Sequence, residues 1–468
     1  MRRENEKGRA NPMAMSAEER QQMLLTQPVE KIIPKMALPT ICSMLITSIY
    51  NMADTYFVSQ IGTAEATASG TSASAAVGIV FSVMAMIQAL AFMFGMGSGT
   101  NVSHLLGMGK RKEAEVSAVA AGVLIAVLGN VFNEPLMRLL GATETAMPYA
   151  LDYARYIFLA APFMMGSLSM NNLLRFQGLA TYGMVGIISG GLLNMLLDPL
   201  LIFVFDMGIA GASIATAISQ LTSFVILLVM CSTHADAITI HPRNYRPTKQ
   251  MYAKILNNGL PSLGRQGIMS VSTSLLNNAA AVYGDPAIAA FAIVSRCLNF
   301  VNSTVVGFGQ GFQPVCGFNY GARKYDRMHR AFSFSVKVTT IVLLVLGAAG
   351  FAFAEPVVTL FRRSDPEVIR IGTETFRIQI LTVWAWGFIT LSNMYTQAIG
   401  YGIRSTILAA ARQGLFLIPT LLVLPNVWGL RGLEVCQPLA DVLTLALAVW
   451  MMTKVIRAQK AQMAQETA

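Results

Sequence analysis

The chain has 468 residues, of which 54% are hydrophobic and only 12% are charged. Soluble domains usually carry about twice that share of charged residues, so the composition excludes an ordinary soluble domain and indicates an integral membrane protein. The net charge of +10 does not indicate a nucleic-acid partner, because the basic residues lie between hydrophobic stretches. The five cysteines are odd in number and show no CxxC spacing, which speaks against a disulfide framework or a zinc site.

A polar segment opens the chain and lacks the early apolar core of a signal peptide. Within it, Ser16 and Glu19 form a capping box that predicts a short helix. The stretches that follow, each of roughly 20 apolar residues, are long enough to cross ~30 Å of hydrocarbon as helices. We count twelve such spans: 34–57, 71–97, 115–133, 150–170, 184–205, 210–231, 255–282, 287–314, 331–353, 371–394, 404–424 and 432–453.

The second half of the chain repeats the first. FNEP at 132–135 recurs as FAEP at 353–356, and LP at 38–39 recurs at 260–261. Six spans per repeat return the chain to its starting side, so both halves are expected to insert with the same orientation. We therefore predict an all-α integral membrane protein in which twelve transmembrane helices form two pseudo-symmetric six-helix lobes. The predicted divisions are an N-terminal tail (1–33), an N-lobe (34–231), a linker (232–253), a C-lobe (254–453) and a C-terminal tail (454–468).

Basic residues are distributed unequally between the two sides of these spans. Most of the 34 Lys and Arg residues fall in the N-terminal tail, in the loops after even-numbered spans, or in the C-terminal tail. Arg175 is predicted to lie in one of these loops. The opposite side offers only Arg138, Arg362, Arg363, Arg370 and Arg431. Cytoplasmic loops carry an excess of Lys and Arg, so both termini are predicted to be cytoplasmic.

Two acidic residues of the first half fall inside predicted spans. A carboxylate in the bilayer costs roughly 2.5–3.5 kcal/mol on insertion scales, so each position invites a functional hypothesis. Asp198, in span 5, lies one helical turn after Asn194 and precedes Pro199, which leaves the carbonyl of Met195 without its usual partner. Burial would favour the neutral acid, and these oxygens could hold a proton or Na⁺. Asp54 lies toward the outer end of span 1.

Structural interpretations stand beside these hypotheses. In the structural alternative for Asp54, it is an ordinary residue of the membrane boundary. In the structural alternative for Asp198, it forms a hydrogen bond to a neighbouring helix. Aligning Pro199 with Pro419 places Ile418 opposite Asp198, so the second half lacks an acid at that position. A carboxylate needed only for folding would more often recur in both halves.

Other polar groups in the spans carry weaker signals. Arg265 and Arg296 lie nearer the water boundaries and are expected to extend their charges toward water. The four histidines show no HExxH spacing, and no GxSxG motif is present. A membrane-embedded enzyme is therefore not favoured.

Four motifs together resemble the multidrug and toxic compound extrusion (MATE) family over all twelve spans. The first is Pro39 with YNxxDT at 50–55 and Gly62, and the second is Gly107 with the basic run that follows it. The third is NxxxDP at 194–199, and the fourth is GFGQGFQP at 307–314. The resemblance implies a V-shaped pair of lobes and export of amphipathic, often cationic compounds by antiport with H⁺ or Na⁺.

The resemblance also implies a site in the N-lobe. The family's ion-binding residues correspond to Asp54, Asn194, Asp198 and Thr216, which would also be the ligands of Na⁺, and Tyr153 is a weaker match. Some members carry a glutamate early in span 7, but this chain has Arg-Gln at 265–266 and no acid between positions 254 and 285. The resemblance therefore implies coupling in the N-lobe.

We accordingly expect a multidrug efflux antiporter of the plasma membrane, with H⁺ or Na⁺ as coupling ion and no other cofactor. The expected partners are small drug-like molecules and membrane lipids, with no nucleic acid, and a monomer is expected. The alternative is a lipid-linked oligosaccharide flippase of the same superfamily, which would favour a broad cationic cavity for pyrophosphate. A major facilitator carrier would read GxxxDR after span 2, where this chain has GMGKRK at 107–112.

Overall fold

The structure is a computed structural model that describes residues 17–64, 68–108, 127–139, 144, 147–234, 249–361 and 365–467. Within these ranges the regular structure is helical throughout. The helices are α1 (Ala17–Thr26), α2 (Val29–Ala64), α3 (Ala68–Gly107), α4 (Asn133–Leu139), α5 (Met147–Phe176), α6 (Ala180–Pro199), α7 (Gly208–His234), α8 (Lys249–Ala281), α9 (Asp285–Gly321), α10 (Tyr325–Ala352), α11 (Ala354–Phe361), α12 (Pro366–Ile380), α13 (Val383–Ala398), α14 (Gly402–Ala410), α15 (Leu417–Trp428) and α16 (Leu430–Thr467).

Eleven of the twelve predicted spans coincide with these helices, and the third lies largely outside the described residues. Nine helices in the described part are long and apolar enough to cross a membrane. Span 10 is divided into α12 and α13 by a turn at 381–382. Span 11 contains a π-helical segment, Ala411–Phe416, between α14 and α15. The all-helical membrane fold is confirmed.

The ends of the chain are more helical than expected. The capping box predicted a short helix, and α1 confirms it, although Ser16 itself lies outside the described residues. Helix α2 begins at Val29, inside the predicted tail, and α16 continues to Thr467. Most of the predicted linker, 235–248, falls outside the described part of the chain.

Helices α2–α7 form one lobe and α8–α16 the other, and the two lobes meet through close backbone contacts. Helices α2 and α3 of the N-lobe pack against α8 and α9 of the C-lobe. At Gly307 a Cβ atom would overlap the backbone of Ile41 in α2, and at Gly317 it would overlap the side chain of Ser103 in α3. Thr40 Oγ1 also donates a 2.6 Å hydrogen bond to the carbonyl of Gly307. Glycine is thus required here for close helix packing.

Among the described residues, the close contacts between the lobes cluster in one half of the molecule. They lie near the beginnings of α2 and α8 and the ends of α3 and α9, on what we call the terminal face because α1 and the end of α16 also lie there. We call this line of contacts between the lobes the seam. The 2.7 Å hydrogen bond between Ser48 and Ser303 lies on it, farther from the terminal face. Farther along α8, Gly267 has open space beside it and Val271 is 55% exposed. The lobes therefore separate toward the opposite, distal face, as the V-shaped fold predicts.

Helix α1 lies across the closed end of the V. Gln21 donates a 2.6 Å hydrogen bond to the carbonyl of Leu106 in the N-lobe. The carbonyls of Leu24 and Leu25 accept 3.2 Å bonds from Asn319 and Lys324 in the C-lobe. Since α1 bonds to both lobes, it covers their junction on the terminal face.

We expect Gly307→Leu to open the terminal face, because a Cβ atom at this position would lie 2.6 Å from the Cα atom of Ile41. The readout is Cys316, a fully buried member of the core that joins the lobes. With the other four cysteines replaced by serine, a water-soluble maleimide should label Cys316 in the variant faster than in the parent. The matched control is Gly267→Leu, which enters open space. Equal protection of Cys316 in both variants would contradict this account of the seam.

Candidate functional site

A polar cavity lies within the N-lobe, bounded by α2, α3, α5, α6 and α7. Its lining includes Asp54 and Tyr50 of α2, Asn194 of α6, and Thr216 and Gln220 of α7. Three of the predicted site residues therefore line one cavity, although they come from three helices.

Asp198 and Asn194 share one face of α6, as their spacing predicts. The Asn194 amide nitrogen donates to Asp198 Oδ1 at 3.1 Å and lies 3.5 Å from Thr216 Oγ1 on α7. Asp198 is fully buried, and Asn194 is 4% exposed. The amide therefore joins the carboxylate of one helix to the hydroxyl of the next.

Asp54 faces this group from α2. It is 5% exposed, so it is a buried residue and not an exposed one of the membrane boundary. Its charge lies close enough to that of Asp198 for the two carboxylates to repel one another. Among the described residues, neither Asp54 Oδ1 nor Asp198 Oδ2 has a hydrogen-bond partner. Two buried carboxylate oxygens are thus left available to a cation or a proton.

Tyr153 completes the group from α5. The ring is fully buried, and its hydroxyl donates to Met84 Sδ at 3.9 Å. It lies within electrostatic range of both Asp54 and Asp198. All five predicted residues therefore lie in one region of the N-lobe.

Proline shapes the helix beside the acid. Helix α6 ends at Pro199, and the chain continues as a π-helical turn, Leu200–Val204, before α7. Proline removes one backbone donor, and π-turns inside helices often occur at functional positions. The irregular backbone lies immediately after Asp198 and Pro199.

The chemistry of this group suits a small cation. Two carboxylates that repel each other in a buried place are relieved when one is protonated or when a cation lies between them. The oxygens of Asp54, Asp198 and Thr216 are hard donors, which fit Na⁺ as well as H⁺. No cluster of three or more His, Cys, Asp or Glu residues occurs in the described part of the chain, so a transition-metal centre is not indicated there.

The C-lobe contains a buried acid that the sequence analysis missed. Asp441 of α16 accepts hydrogen bonds from Arg412 Nε at 2.7 Å, Gln437 at 3.0 Å, Trp386 at 2.7 Å and Thr382 at 2.8 Å. The Arg412 guanidinium also lies 3.8 Å from the centre of the Trp386 ring. In contrast to the N-lobe carboxylates, both oxygens of Asp441 are bonded, so this group stabilises the lobe.

The repeat contains a signal that would have found Asp441. The offset that relates FNEP at 132–135 to FAEP at 353–356 also relates Thr216 to Gln437 and Gln220 to Asp441. The two lobes therefore carry polar groups at corresponding places on their last spans. Only the N-lobe group lacks a basic partner among the described residues.

The assignment of Arg175 to a loop was wrong. Arg175 lies in the last turn of α5, is 1% exposed, and reaches the C-lobe across the junction. Arg296 is exposed, in keeping with the expectation that its charge reaches water, whereas Arg265 is partly buried. Hydropathy alone could not show that a basic residue at the end of a span faces a second lobe.

The fold and the site define a class of protein: a membrane transporter built from two repeated helical lobes around a central cleft. A MatE family model matches the chain twice, over residues 39–200 and 261–422. The chain belongs to the MatE family, whose members are transporters, and the double match confirms the internal repeat.

Relatives and solved structures agree with this assignment. The multidrug export protein MepA of Staphylococcus aureus is 26% identical over 412 residues, covering 86% of this chain and 89% of that protein. The outward-facing structure of a multidrug resistance MATE family transporter of the MOP superfamily matches with a TM-score of 0.86 at 25% identity, covering 94% of this chain and 98% of that one. A Pyrococcus furiosus MOP superfamily transporter, described as having a binding pocket of reverse polarity, matches with a TM-score of 0.84 at 25% identity and the same coverage.

Proposed function

We propose that this protein is a secondary active multidrug exporter of the plasma membrane, which expels amphipathic or cationic organic compounds in exchange for H⁺ or Na⁺. The observation that carries this proposal is the pair of buried carboxylates, Asp54 and Asp198, each with an oxygen that lacks a partner in the described part of the chain. The relatives named as multidrug export proteins support the substrate class.

We further propose that the terminal face is cytoplasmic, because most Lys and Arg residues belong to the tails and loops that the sequence predicts on that side. The V then opens to the outside, and one of the similar transporter structures is likewise outward-facing. In this state the coupling ion enters from outside, and the bound compound leaves in the same direction.

The proposed coupling acts through charge. In the unprotonated state, Asp54 and Asp198 attract a cationic compound toward the N-lobe wall of the cleft. Binding of H⁺ or Na⁺ to the pair removes that attraction and also the repulsion between α2 and α6. Helix α2 contains Pro34 and Pro39, which weaken its backbone hydrogen bonding and allow it to change its bend. The compound is then released outward, and the ion-loaded carrier returns to discharge its ion.

A ligand shifts such an equilibrium only by its different affinity for the two states. The mechanism therefore requires that the ion and the compound compete for binding, or that each lowers the affinity of the protein for the other. The remaining site residues have supporting roles. Asn194 orients the Asp198 carboxylate, Thr216 supplies a further oxygen to the ion, and Tyr153 covers the side of the ion site that faces the apolar core. Small drug-like molecules and lipids are the proposed partners, with no nucleic acid, and the proposed unit is a monomer.

The test uses purified protein in vesicles loaded with a fluorescent organic cation. A pH gradient and a Na⁺ gradient are imposed separately, each at zero membrane potential. Dye movement under one gradient and its absence under the other would identify the coupling ion. If neither gradient moves the dye, antiport is refuted, and the flippase alternative would be tested with a lipid-linked oligosaccharide in the same vesicles.

A further inference from the structure

Two arginine side chains from opposite lobes approach each other at the closed end of the cleft. Arg175 belongs to α5 of the N-lobe, and Arg265 belongs to α8 of the C-lobe. Their positive charges lie close enough to repel. Arg175 is 1% exposed and Arg265 is partly buried. The junction therefore contains two neighbouring cations within the membrane region.

Arg175 is bonded only to neutral acceptors. Its Nη1 atom donates to the carbonyl of Gln310 at 2.8 Å and to Gln313 Oε1 at 3.1 Å. Its Nη2 atom donates to Asn172 Oδ1 and lies 2.9 Å from Met96 Sδ. The Nε atom is buried and has no partner among the described residues. The charge of Arg175 is thus solvated by amides but not neutralised.

Arg265 lies one helical turn from the hydrogen-bonded group that includes Gln313. Gln313 donates to Gln397 at 3.1 Å, and Gln397 donates at 2.9 Å to Ser262, one turn before Arg265 on α8. Within the described ranges, the guanidinium of Arg265 forms no hydrogen bond and no ion pair. It is therefore free to bind a group that enters from the cleft.

Arg265 lies on α8 between a tightly packed segment and a more open one. One and a half turns earlier, Gly259 is packed against the carbonyl of Met93 in the other lobe. Two residues later, Gly267 has open space beside it. Arg265 therefore lies where the lobes begin to separate, at the floor of the V.

A missing counter-anion is the simplest physical account of this arrangement. Charged side chains inside membrane proteins are costly and usually pair with one another or mark a ligand pathway. Neither arginine forms an ion pair with an acid in the described part of the chain. Guanidinium groups bind carboxylate and phosphate oxygens with planar, paired hydrogen bonds.

We propose that Arg175 and Arg265 bind an oxyanion, a carboxylate or phosphate carried by the transported amphipathic compound. This inference rests on the proposed export function and narrows its substrate class. Compounds with both a cationic and an anionic group would use the N-lobe carboxylates and the arginine pair together. The arginine pair would then distinguish a carboxylate from its uncharged ester.

The experiment compares two xanthene dyes, one with a free benzoate carboxylate and the other its methyl ester, in gradient-driven transport by the full chain in vesicles. Arg265→Gln is the main variant, because Arg265 forms no bonds in the described structure whose loss would unfold the protein. We expect it to raise the KM for the carboxylate dye by about tenfold or more, the scale of one charged hydrogen bond, and to leave the KM for the ester unchanged. Arg265→Lys, which keeps the charge, should restore part of the affinity.

Arg296→Gln removes the same charge from an exposed position on α9 and should affect neither dye. If Arg265→Gln changes the KM of both dyes equally, or of neither, the oxyanion site is refuted. If the wild-type protein moves neither dye, it is the export function that fails.

A second arm distinguishes the source of the oxyanion. The carboxylate dye is compared in vesicles of phosphatidylcholine alone and in vesicles that also contain phosphatidylglycerol. Transport that does not depend on the anionic lipid supports the transported compound as the ligand. Inhibition by the anionic lipid in the wild type but not in Arg265→Gln would assign the site to a lipid headgroup and overturn the substrate assignment.

Discussion

Asp198→Asn is expected to abolish gradient-driven export while leaving the folded protein in the membrane. Asparagine preserves the shape of the side chain and can still bond to Asn194, but it cannot take up a proton or offer a negative charge to Na⁺. The protein should therefore bind its compound and fail to exchange it against the ion. The measurement is the initial rate of dye movement in vesicles under the gradient that drives the wild type.

The matched control for this variant is Asp152→Asn, which removes an exposed carboxylate from α5 in the same lobe. It should transport at the wild-type rate. Export by Asp198→Asn at the wild-type rate, with equal amounts of protein in the vesicles, would show that Asp198 has no part in coupling.

Arg412→Met is expected to destabilise the C-lobe strongly. Arg412 is the basic partner of Asp441, whose side chain is fully buried, while its own side chain is 16% exposed. Removal of one partner leaves a buried charge uncompensated, which costs about 3–5 kcal/mol in comparable pairs. The thermal unfolding midpoint in detergent should therefore fall clearly below that of the wild type.

Two further variants separate this effect from a general loss of charge. Arg370→Met breaks an exposed pair with Glu367 and should change the midpoint little, because exposed ion pairs contribute little to stability. The double variant Arg412→Met/Asp441→Leu removes both charges and should recover much of the loss. A double variant as unstable as Arg412→Met alone would contradict the ion-pair explanation.

The features that follow from local periodicity were predictable from the sequence. Asn194 and Asp198 are four residues apart on a helix, so their shared face and their hydrogen bond follow from helix geometry. The repeat predicted two similar lobes, and the double family match confirms it. The positions of Asp54, Thr216 and Tyr153 beside this face came from the family resemblance, since no local rule pairs residues on different helices.

The features that depend on packing between distant helices were not predictable in the same way. The sequence predicts Arg175 in a loop because it lies at the end of an apolar stretch, whereas the opposite lobe buries it. The alignment of Pro199 with Pro419 does not reveal Asp441, because both prolines lie in the fifth span of their half, whereas Asp441 lies in the sixth. Its partner Arg412 comes from that fifth span, so the pair forms only when spans 11 and 12 are packed together.

Ion movement driven by the compound itself tests the central claim most directly. Vesicles containing an indicator for H⁺ or Na⁺ receive a concentration gradient of the transported dye, with no ion gradient imposed. We predict that the dye gradient moves the coupling ion in the opposite direction in the wild type and in Asp152→Asn, and that no ion moves in Asp54→Asn or Asp198→Asn. Ion movement of wild-type size in both carboxylate variants would contradict the claim that this pair couples the ion to export.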